Sequence, residues 1–223
     1  MTTHLDGATA HAWISTFCDT FHESQQQLTN LDRLAGDGDF GTNIASALRR
    51  VDDALPSADA ATFTTVFAAT SKGFLATGGT SGPLFGMWFR TISKAADDAA
   101  SVPELASGIQ EGLATIQKLG GAKVGDNTMI DALAPASAAL TGAAENGADL
   151  VTALTAAAEA ARVGAESTGA LVAARGRASY VGKLALGVLD PGAVTIALLF
   201  EAGATAAGSQ QDWPSLLSIP AHS

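Results

Sequence analysis

"LDRLAGDGDFGTN" runs from Leu31 to Asn43, and its reading decides the fold. The core of the stretch, Gly36 to Gly41, spells Gly-x-Gly-x-x-Gly. As a dinucleotide fingerprint it would make the chain α/β; as a joint between two helices it would make it all-α. A fingerprint follows a hydrophobic strand inside a βαβ unit. Here "QLTNLDRLA" precedes it, which is not a strand, and two aspartates within the loop would repel a pyrophosphate. A calcium loop fails as well. It needs acidic groups at positions 1, 3 and 5, Gly at 6 and Glu at 12. Asp32 and Asp37 have the wrong spacing, and Gly41 breaks the series that starts at Asp37.

Outward from this stretch the apolar period is helical. Trp13, Phe17 and Phe21 fall at i, i+4 and i+8. Phe63, Val66, Phe67 and Phe74 form a second stripe, and Leu105, Ile109, Leu113 and Ile116 a third. Each predicts one buried helix face, with the aromatics as core. Ser101-Val-Pro-Glu104 has the spacing of a capping box, and Asp190-Pro191 offers an N-cap with proline at the first helical position. These signals predict eight helices, at 7–30, 41–54, 60–76, 81–98, 103–118, 127–145, 148–170 and 191–208. No segment carries sustained strand alternation. The Ala and Gly load predicts close helix contacts, and the tail from Gly208 reads as an irregular wrap that Trp213 pins.

Bulk properties bound the function. The 223 residues suit one domain, residues 1–223, and a 47% hydrophobic content with mean hydropathy +0.23 predicts a globular chain. A net charge of −10 argues against nucleic acid as a partner, though a divalent metal can invert the local sign. Cys18 is the one cysteine, so no intrachain disulfide forms; it sits in an apolar stripe and reads as a buried thiol. His4, His11, His22 and His222 form no obvious metal cluster. No signal peptide and no apolar run long enough to span a membrane is evident, so a cytoplasmic protein is expected.

Four stretches could carry chemistry. In the opening one, Asp32, Asp37 and Asp39 could converge on hard cations, and Gly41-Thr42-Asn43 at a helix start could offer amides to an anion. Together they describe a diphosphate clamp; a solvated turn with Asp39 as N-cap explains the same residues equally well. "ATGGTSGPLFG" (Ala76–Gly86) has backbone freedom and two hydroxyls suited to phosphate, or is a glycine joint between helices. "GGAKVGDNTMIDAL" (Gly120–Leu133) places Met129 to lie on a flat ring, while Asp126 reads more simply as an N-cap. "RGRASYVGKLALGVLDPGA" (Arg175–Ala193) is a long connection of the kind that is usually functional in a compact domain. The chain contains no Walker A sequence.

In order and spacing, these four motifs resemble the nucleotide-binding L subunit of dihydroxyacetone kinase, over nearly the whole chain. The resemblance implies an all-α fold, an eight-helix antiparallel up-and-down barrel with ADP or ATP at one end. It implies that Asp32, Asp37 and Asp39 hold two Mg2+ ions on the phosphates. Phe40, Gly41, Thr42, Asn43, Thr80 and Ser81 would contact phosphates. Gly120, Met129, Arg177, Asp190, Pro191 and Gly192 would line the rest of the nucleotide site. The implied partners are a K subunit carrying dihydroxyacetone and, in the phosphoenolpyruvate-dependent version, an M-type phosphocarrier that phosphorylates bound ADP. A homodimer is also allowed. No central histidine or evident site lysine is available to hold a carbonyl substrate, which agrees with a sugar site on a partner. The pattern departs at Phe40, where phosphotransferase-linked subunits usually have histidine, and at Lys183, Leu184 and Val188. An ATP-dependent kinase for this or another short ketose, a nucleotide-responsive regulator and a ligand-free helical scaffold are the alternatives.

Overall fold

The computed structural model describes residues 3–176 and 178–218. Among the described residues there are eight long helices, α1 (Gly7–Ala35), α2 (Phe40–Ala54), α3 (Phe63–Leu75), α4 (Ser81–Ile92), α5 (Val102–Gly120), α6 (Ile130–Glu145), α7 (Leu150–Ser167) and, after a one-turn α8 (Ala178–Val181), α9 (Pro191–Ala206). Each long helix packs on the next, and α9 packs back on α1, so the ring is closed. The ends of α1 and α5 and the starts of α2, α4, α6 and α9 meet around one cavity. Neighbouring helices therefore alternate in direction.

The predicted start signals work as hydrogen bonds. The Ser101 hydroxyl accepts the Glu104 N–H at 3.4 Å, and the Glu104 carboxylate accepts the Ser101 N–H at 2.8 Å. Thr62 and Thr65 make a second reciprocal box at α3, and Asp190 caps α9 through the Ala193 N–H at 2.7 Å. The predicted stripes lie inside: Trp13, Phe17, Phe21, Phe63, Phe67 and Phe74 are all buried. Aromatic contacts cross the interior, Trp13 on Phe67 with ring centroids 5.7 Å apart and Trp88 on Phe200 at 6.3 Å. The interior is thus filled by side chains, as in other small barrels, and is not a pore. Cys18 is buried in it.

Several expected boundaries shift for tertiary reasons. Helix α1 continues past residue 30 to Ala35, where the Gly36 N–H closes the last turn on the Asp32 carbonyl. Helix α4 ends at Ile92, six residues short of the expected 98. The carbonyls of Asp97 and Asp98 are needed elsewhere: they accept the N–H groups of Thr64 and Phe63, which the start of α3 leaves unpaired. Helix α6 begins at Ile130, so Asp126 does not cap it.

The sequence also gave no sign of a short ladder at the other end. His4–Leu5 (β1) pairs antiparallel with Ala100–Ser101 (β2). Helices α1 and α5 stand four places apart in the ring, so this ladder crosses the end, and fully buried Leu5 and Ala100 plug it. Among the described residues no helix is long and apolar enough to cross a membrane.

Candidate functional site

The open end of the barrel holds a cavity of about 280 Å3. One wall is acidic. Asp32 comes from the last turn of α1, Asp37 and Asp39 from the turn into α2, and Asp190 from the start of α9. The turn is sharp, with Gly38 left-handed at φ 79° and Asp39 at φ −91°, ψ −15°. The two loop aspartates thus reach one cavity through a turn. Asp32 Oδ2 accepts the Phe40 N–H at 2.9 Å, and Asp37 Oδ1 accepts the Asp39 N–H at 3.4 Å. Asp39 stands at the N-cap of α2, but its side chain makes no capping bond. Its carboxylate is not spent on the helix.

A second wall carries small polar groups. Gly79 is left-handed at φ 83°, and a Cβ there would lie 3.3 Å from Asn43 Nδ2. Thr80 caps α4 in position only, without a side-chain bond, and Ser81 follows as its first residue. Asn43, Thr80 and Ser81 all line the cavity, as does Phe40. Gly41 and Thr42 do not. Gly41 is buried against α1, where a Cβ would meet Thr29 Oγ1 at 2.2 Å, and Thr42 is exposed.

The third wall is apolar. Leu84, Phe85, Ile116, Gly120, Ala122, Met129 and Ile130 form it, with Pro191 and Gly192 beside them. A Cβ on Gly192 would lie 2.9 Å from Asp190 Oδ2 and 3.3 Å from Met129 Cβ, so a larger residue here would press on both side chains. The loop that carries Met129 is tied down by carboxylates. Asp131 accepts the Gly125 N–H at 2.5 Å and the Thr128 N–H at 2.8 Å. Asp126 accepts the Lys123 N–H at 3.0 Å and stands 3.5 Å from the Arg175 guanidinium. Its main-chain carbonyl accepts the Ala174 N–H. Asp126 is therefore a clip between two loops.

The electrostatics have two signs. Four helix starts, those of α2, α4, α6 and α9, open on the cavity, and each brings partial positive charge suited to an anion, although Asp32 already takes the Phe40 N–H of α2 and Asp190 the Ala193 N–H of α9. Against them stand four carboxylates; Arg175 is the only cationic side chain among the described lining residues. Burial pushes the Asp190 carboxyl up to about 7, against the Ala193 hydrogen bond and with help from the charges of Asp131 and Asp32. An acidic wall facing anion-attracting helix ends suits a divalent cation held between carboxylates and phosphate. Among the described residues no three acidic, His or Cys side chains already enclose a metal site. Magnesium does not need such a cage, since it keeps several waters and takes one or two carboxylates plus substrate phosphates. The oxygen donors present fit it.

Arg177 lies outside the described residues. Arg175, Asn127 and Thr128 line the cavity and were not singled out from the sequence. Their roles arise from the cross-loop contacts, which no local pattern announces.

Residues 34–205 match the DAK2 domain. The chain is 38% identical over 192 residues to the ADP-binding subunit DhaL of PEP-dependent dihydroxyacetone kinase 1 from Listeria innocua, covering 85% of this chain and 91% of that protein. It is 33% identical over 198 residues to the Escherichia coli PEP-dependent dihydroxyacetone kinase ADP-binding subunit DhaL, covering 87% and 94%. Among solved structures, the dihydroxyacetone kinase from C. freundii in complex with AMP-PNP and Mg2+ superposes with a TM-score of 0.68 at 30% identity. That match covers 92% of this chain and 35% of the larger one.

Proposed function

The chain belongs to the DAK2 domain family, and from that premise we propose that it is the ADP/ATP-binding subunit of a dihydroxyacetone kinase. In this reading a PEP-linked phosphocarrier phosphorylates bound ADP, and the γ-phosphoryl then passes to dihydroxyacetone on a separate K subunit. The observation that carries it is the convergence of four helix starts and an acidic wall on one cavity with an apolar wall beside them. That combination fits a metal-bound diphosphate at one side and a flat base at the other.

The division of labour follows from the residues. Asp32, Asp37 and Asp39 would hold two Mg2+ ions, which neutralise phosphate charge when bound. Phe40, Asn43, Thr80 and Ser81 would position the phosphates. Gly41 and Thr42 do not line the cavity and would act only through their main chain. Gly120 and Met129 would face the base, with Asp190, Pro191 and Gly192 closing the floor and Arg177 completing the site. The Asp32–Phe40 hydrogen bond fixes one carboxylate oxygen toward the start of α2 and leaves Oδ1 for a cation.

Among the described residues no His or Lys lines the cavity, so nothing there could hold a ketose covalently. This agrees with an acceptor held on a partner subunit. The rim fits as well. Leu34, Leu75, Leu119, Val124, Val172, Tyr180 and Leu186 surround the open end, and Val163 is the only other exposed large apolar side chain among the described residues. An apolar rim around a catalytic mouth fits a docking partner. The test is reconstitution: the chain with Mg2+, ADP, a K subunit, a phosphocarrier and its phosphoryl source should phosphorylate dihydroxyacetone. Omission of the phosphocarrier should abolish turnover at substoichiometric ATP. Turnover that needs only stoichiometric ATP would exclude the phosphocarrier route.

A further inference from the structure

Two loops far apart in sequence meet beside the cavity: residues 121–129, between α5 and α6, and residues 171–176, after α7. Asn127, Thr128, Arg175 and Gly176 bring both into its wall. Three contacts tie them together. Asn127 Nδ2 donates to the Leu171 carbonyl at 3.2 Å, the Ala174 N–H donates to the Asp126 carbonyl at 3.0 Å, and Arg175 Nε stands 3.5 Å from Asp126 Oδ2. The first loop is the fixed partner. Asn127 is left-handed at φ 58°, which asparagine tolerates better than most residues, and Asp131 holds the amides of Gly125 and Thr128. The second loop is held at its base. There the Gly187 N–H donates to the Gly169 carbonyl at 2.8 Å and the Asp190 N–H to Thr168 Oγ1 at 2.9 Å. Its far end turns at Gly176, left-handed at φ 63°, where an added Cβ would meet nothing within 4 Å. A swing about that point displaces no packed group.

We propose that Arg175 and Asp126 form a clasp that sets how fast nucleotide enters and leaves the cavity, without setting how tightly it is held. The proposal rests on the nucleotide-binding function above. The two loops are adjoining parts of the wall, so parting them widens the mouth. Asp126 does not itself line the cavity; its carboxylate is turned to Arg175 and to the Lys123 N–H. A tie made inside the chain by such a group has no differential contact with a ligand. It therefore cancels from the affinity and acts on the barrier to opening. The pair stands at the edge of solvent, with the Arg175 side chain 53% exposed and that of Asp126 8% exposed. Ion pairs with an exposed member are weak, which suits a catch that opens in each exchange. A slow catch keeps ADP in place to be rephosphorylated on the chain. A fast one suits a kinase that swaps ADP for ATP at every turnover.

The test is stopped-flow release of methylanthraniloyl-ADP from the full chain with Mg2+, chased with excess ADP. Asp126→Asn keeps the acceptor for the Lys123 N–H and removes one charge of the pair; Arg175→Gln removes the other. Each should speed release and entry alike by about 2- to 5-fold, so that Kd stays within about twofold. The double variant should be no faster than either single one, because both break the same pair. Amide exchange of the apo proteins tests the tie without nucleotide: the Ala174 N–H should exchange about 2- to 5-fold faster in each variant than in the wild type. Release that is unchanged in Asp126→Asn but faster in Arg175→Gln overturns the clasp and makes Arg175 a direct contact of the nucleotide. Equal Ala174 exchange in wild type and variants overturns it too. A wild type that binds no ADP overturns the nucleotide function, and the gate falls with it even where Ala174 exchanges as expected.

Discussion

The open end of the barrel and the wall formed by α6, α7 and α9 are built from the same small residues to opposite effect. In the wall, alanines and glycines let helices touch. A Cβ on Gly164 would lie 2.3 Å from the Asp131 carbonyl, and one on Gly203 would lie 2.5 Å from the Trp13 ring. Buried Glu201 of the wall is paired with Arg162 at 2.9 Å, and Arg162 also donates to the Pro214 carbonyl. Burial raises the Glu201 carboxyl, and the Arg162 guanidinium opposes the rise. At the open end, glycines serve turns, at Gly38, Gly79 and Gly125, and carboxylates gather with one described cation among the lining residues. The wall satisfies its polar groups within the chain. The open end gathers four carboxylates around the cavity against one described cation among the lining residues, and that surplus of negative charge marks the site.

The comparison breaks most readily at Asp37. Asp37→Ala should cost Mg2+-dependent ADP affinity more than the 10–100-fold (about) that changes one shell further out from a metal cost. The apo protein should melt at the wild-type temperature or slightly above, since a like charge is removed and a turn residue contributes little packing. Calorimetry and a melting curve on one preparation decide it. An unchanged ADP affinity would remove Asp37 from the metal site.

Asp190 sharpens the comparison through pH. Its folded-state carboxyl stands near 7, against an ordinary value of 3.8. A raised carboxyl means that the folded state keeps a proton the unfolded chain gives up. Stability from this group is therefore complete below about pH 4 and lost as pH rises to about 7, at about 1.4 kcal/mol per unit at most. Asp190→Asn keeps an equally good N-cap and removes the titration. The stability difference between variant and wild-type apo protein should be small near pH 4 and favour the variant by a few kcal/mol (about 2–4) near pH 8. Denaturant unfolding at both pH values measures it. A difference that does not change with pH would mean that the carboxyl is not held neutral by its surroundings.

Much of this contrast was legible in the sequence, for different reasons in the two regions. The helices announced themselves because Trp13, Phe17 and Phe21 repeat at helical period and because Ser101-Glu104 and Asp190-Pro191 are local start signals. Local chemistry fixes such features. The end of α4 was misplaced because the carbonyls that stop it serve α3, which is a tertiary debt. At the site, the aspartates stood out as three carboxylates beside a helix start, but a solvated turn fits the same residues, and only the further motifs that follow in order tipped the reading. Asn127 and Arg175 did not stand out, since a left-handed asparagine and a cross-loop ion pair depend on loops that lie far apart in sequence. The assignment of Asp126 as a cap failed for the same reason.

The smallest expected effect belongs to the wall. Gly203 faces Trp13, whose Nε1 donates to the Leu199 carbonyl at 2.7 Å, so the ring cannot step aside without breaking a buried hydrogen bond. Gly203→Val should therefore overpack the α1–α9 contact and cost about 1–3 kcal/mol. For a chain of this length that is a melting shift of about 2–4 °C per kcal/mol. Helix propensity works in the other direction for a glycine within a helix, but by less than about 1 kcal/mol. The site lies at the starts of α2, α4, α6 and α9, whereas Gly203 is in the last turn of α9. ADP affinity should consequently stay within about twofold, because distant and unshared sites act independently. A folded variant that loses ADP affinity along with stability would show that the wall and the open end are mechanically one unit, and the division drawn between them would fall.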